Sequence, residues 1–279
     1  MLADPHRPSR EPGTPVPFST PGLWQSARIQ GRVIHALLLR EIITRFGRHN
    51  VGMFWLLIEP MMFTMGVAAI WSAIGLHKGT DLPIIAFALT GYSSVLLWRN
   101  TVSLCADALK QNISLLYHRY VTVLDVLLAR IALETAGATG SFIVLSVALI
   151  ATGSIQPPED LLLVVGGWLM LAWFGAALAL LVGAATSFSD LVSRLWKPIA
   201  YLLFPLSGAA FMVDWLSPQA QTLAMLVPMV DGVEMVRAGF FGSVVPTHYD
   251  AAYMAEVNIG LSFVGLMLLR DASRRLEAE

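Results

Sequence analysis

The chain has 279 residues, of which 56% are apolar and only 13% charged, with a mean hydropathy of +0.66. Soluble domains carry about 25% charged residues, and a chain of this length has too little interior to bury so much apolar surface, so the composition excludes an ordinary soluble domain and makes lipid the simpler solvent. A net charge of -1 offers no footprint for nucleic acid, and the single cysteine, Cys105, excludes a disulfide framework or a CxxC metal site and reads as a small buried apolar residue.

Residues 1–22 combine proline with polar groups and lack the apolar core of a signal peptide. They are expected to form a disordered cytoplasmic tail, with the first span retained. Between Leu23 and Leu38, Leu23, Ala27, Ile34, Leu37 and Leu38 share one helical face. Gln25, Arg28, Arg32 and His35 share another, with Ile29 and Val33 blurring the boundary. The pattern predicts an amphipathic interface segment over residues 23–52; the alternative is the cytoplasmic end of a long first helix. Arg40, Arg45, Arg48 and His49 then lead into a long apolar run from Met53. Arginine heads sit at phosphate level while the following helix enters lipid.

The fold class expected is all-α, a polytopic membrane protein with a transmembrane domain over residues 53–270. Six spans are expected, over about 53–76, 83–105, 131–150, 161–185, 199–213 and 251–269. The first contains Glu59 followed by Pro60, which fits either a paired carboxylate beside a proline kink or a proton relay. Arg99 interrupts the second span near its end, where it snorkels or faces a protein interior. Residues 106–130 are too polar for a span and too apolar for a plain linker. Gly166, Gly167, Gly175 and Gly183 make the fourth span one that neighbours can approach closely. Residues 187–197 read as a short polar connection, and the fifth span is interrupted by Pro205. From Asp214 to Asp250, prolines and glycines break the apolar pieces, which suits short re-entrant or interfacial helices shielded by protein. Residues 271–279 form a charged cytoplasmic tail.

With the N-terminus inside, sixteen of the eighteen Lys and Arg residues fall on the cytoplasmic side, and only Lys78 and Arg237 fall outside. That asymmetry supports an even number of spans with both termini cytoplasmic. No GxxxxGK[ST], HExxH or GxSxG motif occurs, so neither nucleotide binding, catalytic residues nor metal ligands are expected on this chain. Trp71, Trp98, Trp168, Trp173, Trp196, Tyr92, Tyr201 and Trp215 lie in or near spans. An interfacial aromatic belt accounts for most of them. Stacking on sugar rings along a translocation path is the sharper alternative, with Trp168, Trp173, Tyr92 and Tyr201 its candidates.

Three stretches carry a resemblance. Residues 37–63, LLLREIITRFGRHNVGMFWLLIEPMMF, resemble the N-terminal signature of the inner-membrane permease of bacterial capsular polysaccharide ABC exporters, an ABC-2 type. Residues 117–130, YHRYVTVLDVLLAR, resemble that family's cytoplasmic loop, and 234–250, EMVRAGFFGSVVPTHYD, the end of its extracytoplasmic segment. The matches lie in order and, with the six-span layout, cover most of the chain after about residue 25.

The resemblance implies an inner-membrane homodimer with two copies of a separate ATPase, which would hold ATP and Mg, and no cofactor on this chain. The cargo it implies is a lipid-linked, usually acidic polysaccharide moving from cytoplasm to periplasm, passed on by periplasmic and outer-membrane export proteins. O-antigen, teichoic acid or a drug are alternative cargoes for the same type, and an ATP-independent carrier is the alternative class. It implies that Lys110, Leu115, Leu116, Tyr117, His118, Arg119 and Tyr120 form a coupling helix against the ATPase, with 187–197 a second contact; a solvated connector is the bland alternative. Arg40, Arg45, Arg48 and His49 would face an anionic lipid terminus or acidic sugar at the entrance, or anchor the first helix. Asp214, Trp215 and Arg237 would belong to a periplasmic gate, or to a structural cap.

Overall fold

The computed structural model describes residues 23–46, 50–75, 82–112, 115 and 121–278. All its regular elements are helical: α1 (Leu23–Phe46), α2 (Asn50–Ile74), α3 (Ile84–Ala106), α4 (Ala108–Gln111), α5 (Val123–Ala151), α6 (Leu161–Ala185), α7 (Asp190–Leu206), α8 (Pro218–Ala224), α9 (Pro228–Phe241) and α10 (Ala251–Ala278). Short 3-10 turns at Val213–Trp215 and Gly242–Val244 flank α8 and α9. No strand occurs among the described residues.

The helix starts are written locally. Thr122 and Asp125 form a reciprocal capping box before α5, Asp160 accepts from the Leu163 amide at the start of α6, and Ser189 accepts from Leu191 before α7. Proline occupies the first turn of α8 and α9, where its missing N–H costs nothing.

α3 and α6 form the centre. Every residue of α3 from Ala86 to Trp98 is buried. α6 packs on α3, α9 and α10. Its glycines allow this closeness: a Cβ on Gly175 would stand 2.9 Å from the Trp98 Cα, and one on Gly167 2.8 Å from the Val236 amide nitrogen. Four helices, α2, α5, α6 and α10, are long and apolar enough to cross a membrane. Their outer faces carry exposed apolar residues such as Phe63, Val147, Leu162 and Phe263. α3 meets protein on nearly all sides, so it does without that overall apolarity. α7 has 17 residues with Pro198 and Pro205 inside it.

Several boundaries differ from the expected ones, each for a physical reason. The amphipathic segment and the basic stretch up to Arg45 are one helix, α1. The third helix begins at Val123, eight residues before the expected span, because the capping box starts it and polar partners await its first turns. The fifth runs from Asp190 to Leu206, so most of the 187–197 connection is helix. It stops before 213 because Gly208, at φ +78°, turns the chain. The last helix continues through 271–278, where a separate tail was expected. Residues 1–22, and with them the expected tail, lie outside the described residues.

Candidate functional site

Charged and polar side chains gather in two layers, one at each end of the bundle. The first ties α1 to α5. Arg45 pairs with Glu134, and Arg130 with Glu41. Arg130 also donates to the Leu104 carbonyl and to Gln111 Oε1, both at 2.9 Å. Arg40 donates to Asn112 Oδ1 at 3.0 Å, and Gln30 to Asp125 Oδ1 at 3.2 Å. A polar cavity of about 320 Å³ lies between these helices, with Arg40, Arg45 and Arg130 in its wall. Two of the basic residues expected at an entrance, Arg40 and Arg45, are thus engaged in holding α1 against the bundle; Arg48 and His49 lie outside the described residues.

The same end carries a second tie. Lys110 reaches across to α7, pairing with Asp190 at 2.7 Å and donating to Ser193 Oγ at 3.1 Å. Lys197 stands 3.5 Å from Asp107. The Lys110 hydrogen bond and charge hold the Asp190 carboxyl below its usual range. The two stretches named above as ATPase contacts are therefore joined to each other. Leu115 is half-buried; Leu116, Tyr117, His118, Arg119 and Tyr120 lie outside the described residues.

The layer at the opposite end is built on α9, twelve of whose fourteen residues are buried. Arg237, fully buried, donates at 2.6 Å to each of the carbonyls of Gly208, Ala209 and Phe211, just beyond the end of α7. Its guanidinium lies 3.9 Å from the Phe87 ring centroid and 3.8 Å from Glu234. Glu234 accepts from the amides of Val213 and His248, and Asp231 from that of Asp250. Trp215 stacks on Phe87 at 5.3 Å, and His248 meets Asp214 at 3.3 Å. Asp214, Trp215 and Arg237, named together from the sequence, belong to one cluster. Sequence reasoning missed Asp231, Glu234, His248 and Phe87. The spacing of Asp231, Glu234 and Arg237 at i, i+3 and i+6 on an otherwise apolar helix was the available signal.

Between the layers, Arg99 lies 6.0 Å from the Tyr92 ring and 5.7 Å from the Tyr201 ring. Arg99 thus meets two of the four aromatic candidates at one place. Glu59 is exposed on the outer face of α2. The two tryptophans are elsewhere. Trp168 is buried, stacked on Phe142 at 4.4 Å and bonded to Thr139 Oγ1 at 2.9 Å. Trp173 donates to Ser262 Oγ at 3.1 Å. Trp168 therefore serves the contact between α5 and α6, not the polar centre. No group of His, Cys, Asp or Glu among the described residues is arranged to hold a metal ion.

The family model described as ABC-2 type transporter matches residues 32–241. The capsule polysaccharide export inner-membrane protein CtrC of Neisseria meningitidis serogroup B is 41% identical over 256 residues, 92% of this chain and 97% of that protein. The capsule polysaccharide export inner-membrane protein BexB of Haemophilus influenzae is 39% identical over 255 residues, 91% and 96% of the two chains. The polysialic acid transport protein KpsM of Escherichia coli is 23% identical over 242 residues, 87% and 94% of the two.

Proposed function

The chain belongs to the ABC-2 type transporter family, and on that premise we propose that it is the permease subunit of an ATP-driven exporter of lipid-linked capsular polysaccharide across the inner membrane. The observation that carries this is near full-length similarity to proteins described as capsule polysaccharide export inner-membrane proteins. O-antigen or teichoic acid export is the alternative for the same architecture.

The residues divide into roles in a way that suits such a subunit. ATP and Mg belong to a separate ATPase chain, two copies of which dock on the end carrying α4. Six spans, with α3 and α7 completing the four apolar helices, place both termini in the cytoplasm. Lys110 then lies at the cytoplasmic end, and its bonds to Asp190 and Ser193 make α4 and the first turn of α7 one contact surface. A push from the ATPase on either reaches both α3 and α7. α9, about 21 Å long, is too short to span the bilayer and lies re-entrant from the periplasmic side. Largely buried irregular backbone at 207–213 is tolerated there because Arg237 and Glu234 satisfy it. That cluster forms the periplasmic gate. Export proteins of the periplasm and outer membrane take the polymer onward.

Deleting the chain and assaying surface and internal polysaccharide tests the proposal. The expected result is loss of surface polymer with accumulation inside the cell. Loss of polymer synthesis itself would sink it.

A further inference from the structure

We propose that Glu59 of one copy pairs with Arg99 of a second copy of this chain, giving two symmetric ion pairs that close the face formed by α2, α3 and α7. The membrane setting rests on the permease reading; the contact between copies does not depend on the cargo.

Glu59 sits within the apolar stretch of α2, among the exposed side chains of Phe54, Trp55, Ile58, Met62 and Phe63. A groove of about 510 Å³ runs along this face around Glu59. Among the described residues Glu59 has no ion-pair or hydrogen-bond partner. A carboxylate held against acyl chains is costly, so residues of this kind face a protein partner or a polar cavity. The α2 face is therefore covered in the assembled protein.

Its complement lies on the neighbouring helix. Arg99 is half-buried, with only the Tyr92 and Tyr201 rings around its guanidinium and no carboxylate within ion-pair distance among the described residues. α2 and α3 run antiparallel, and Thr64 Oγ1 meets Ser93 Oγ at 3.3 Å. Glu59 lies five residues from Thr64 and Arg99 six from Ser93, both toward the end that carries α1 and α4. At about 1.5 Å per residue the two charges stand at the same depth to within about 1.5 Å. A two-fold axis along the membrane normal leaves depth unchanged. It brings Glu59 of each copy level with Arg99 of the other, and an isologous contact makes the pair twice. Beside Arg99, α7 offers exposed Tyr201 and Leu202, at 72% and 70%, as apolar surface for the partner's α2 face. Complementary charge at matched depth selects a second copy as the occupant over a lipid, which offers no residue at that depth.

Two differently tagged copies are co-expressed with and without charge reversal, and co-purification is measured in mild detergent. Either Glu59→Arg or Arg99→Glu alone, in both copies, is expected to lower recovery of the second copy about tenfold or more, and the double swap to restore it. A short bifunctional maleimide is expected to join Glu59→Cys in one copy to Arg99→Cys in the other, in a Cys105→Ala background, but not to join Ile70→Cys to Arg99→Cys. Failure of the swap to restore recovery, or equal crosslinking at position 70, overturns the proposal. So does an Arg99→Gln variant that loses export while co-purifying and crosslinking through other positions as the parent does, which assigns Arg99 to an anionic group of the cargo. If the pair forms while deletion of the chain leaves surface polymer intact, the cargo reading fails and the pair stands.

Discussion

Arg237 carries a fixed positive charge into a site with no solvent, and three backbone carbonyls replace its water. Those carbonyls are orphans left where α7 ends and the chain turns at Gly208, so the arginine satisfies groups that no helix can. Gly91 makes room for this: a Cβ there would stand 2.4 Å from the Ala209 oxygen and 2.5 Å from Arg237 Nη2. Replacing Arg237 by methionine is expected to strip these acceptors and leave Glu234 buried without its cation, a loss of roughly 3–5 kcal/mol. Thermal unfolding of the purified chain in detergent checks this, and an unchanged midpoint would refute the cage. The sequence marks Arg237 as unusual, being one of two basic residues on the wrong side of the charge asymmetry. Its partners were not legible. They arise at a helix end that hydropathy alone places several residues too late.

At the scale of an element, α1 shows how charge misleads a hydropathy reading. Its arginines look suited to headgroups, yet Arg40 and Arg45 find polar partners, Asn112 just past α4 and Glu134 on α5. The partner acids and amides lie 72 to 89 residues away, beyond any local pattern. The start of α5 was missed for a different reason: Thr122 and Asp125 stand three apart before an apolar run, but the polar residues of its first turns hid a helix that begins eight residues ahead of the expected span. Removing one side of a buried pair while keeping shape isolates the role of the tie. Glu41→Gln leaves Arg130 with its bonds to Leu104 and Gln111 but without its paired carboxylate, a cost of about 3 kcal/mol. Because α1 also rests on Arg45 and Arg40, the whole chain is expected to remain folded while α1 loosens. Hydrogen exchange should speed up across residues 23–46 and stay unchanged in α6; uniform protection in both would show that the pair does not hold the helix.

Across the whole molecule, the all-helical class was legible; of the six expected spans, four are helices long and apolar enough to cross a membrane, and the connection between distant parts was not legible. α6 matches its expected limits, 161–185, because both faces are apolar and a cap and a turn bracket it. α3 and α7 depend on neighbours, so their boundaries follow packing that no single segment reveals. The bond from Lys110 to Asp190 and Ser193 belongs to this larger scale. Both members of the ion pair are solvent-accessible, and such pairs add little to stability. On the proposed permease function its value lies in transmission: the pair would keep α4 and the start of α7 in fixed relation under a push from the ATPase. Lys110→Ala is expected to leave the unfolding midpoint and membrane insertion unchanged and to lower export severalfold at normal ATPase binding. Replacing Tyr117, His118 and Arg119 by alanine is expected to act one step earlier, by reducing co-purification of the ATPase itself. The two variants thus separate docking from transmission. Surface polymer measured alongside bound ATPase decides between them, and export at the parental level in both variants would move the coupling surface away from α4.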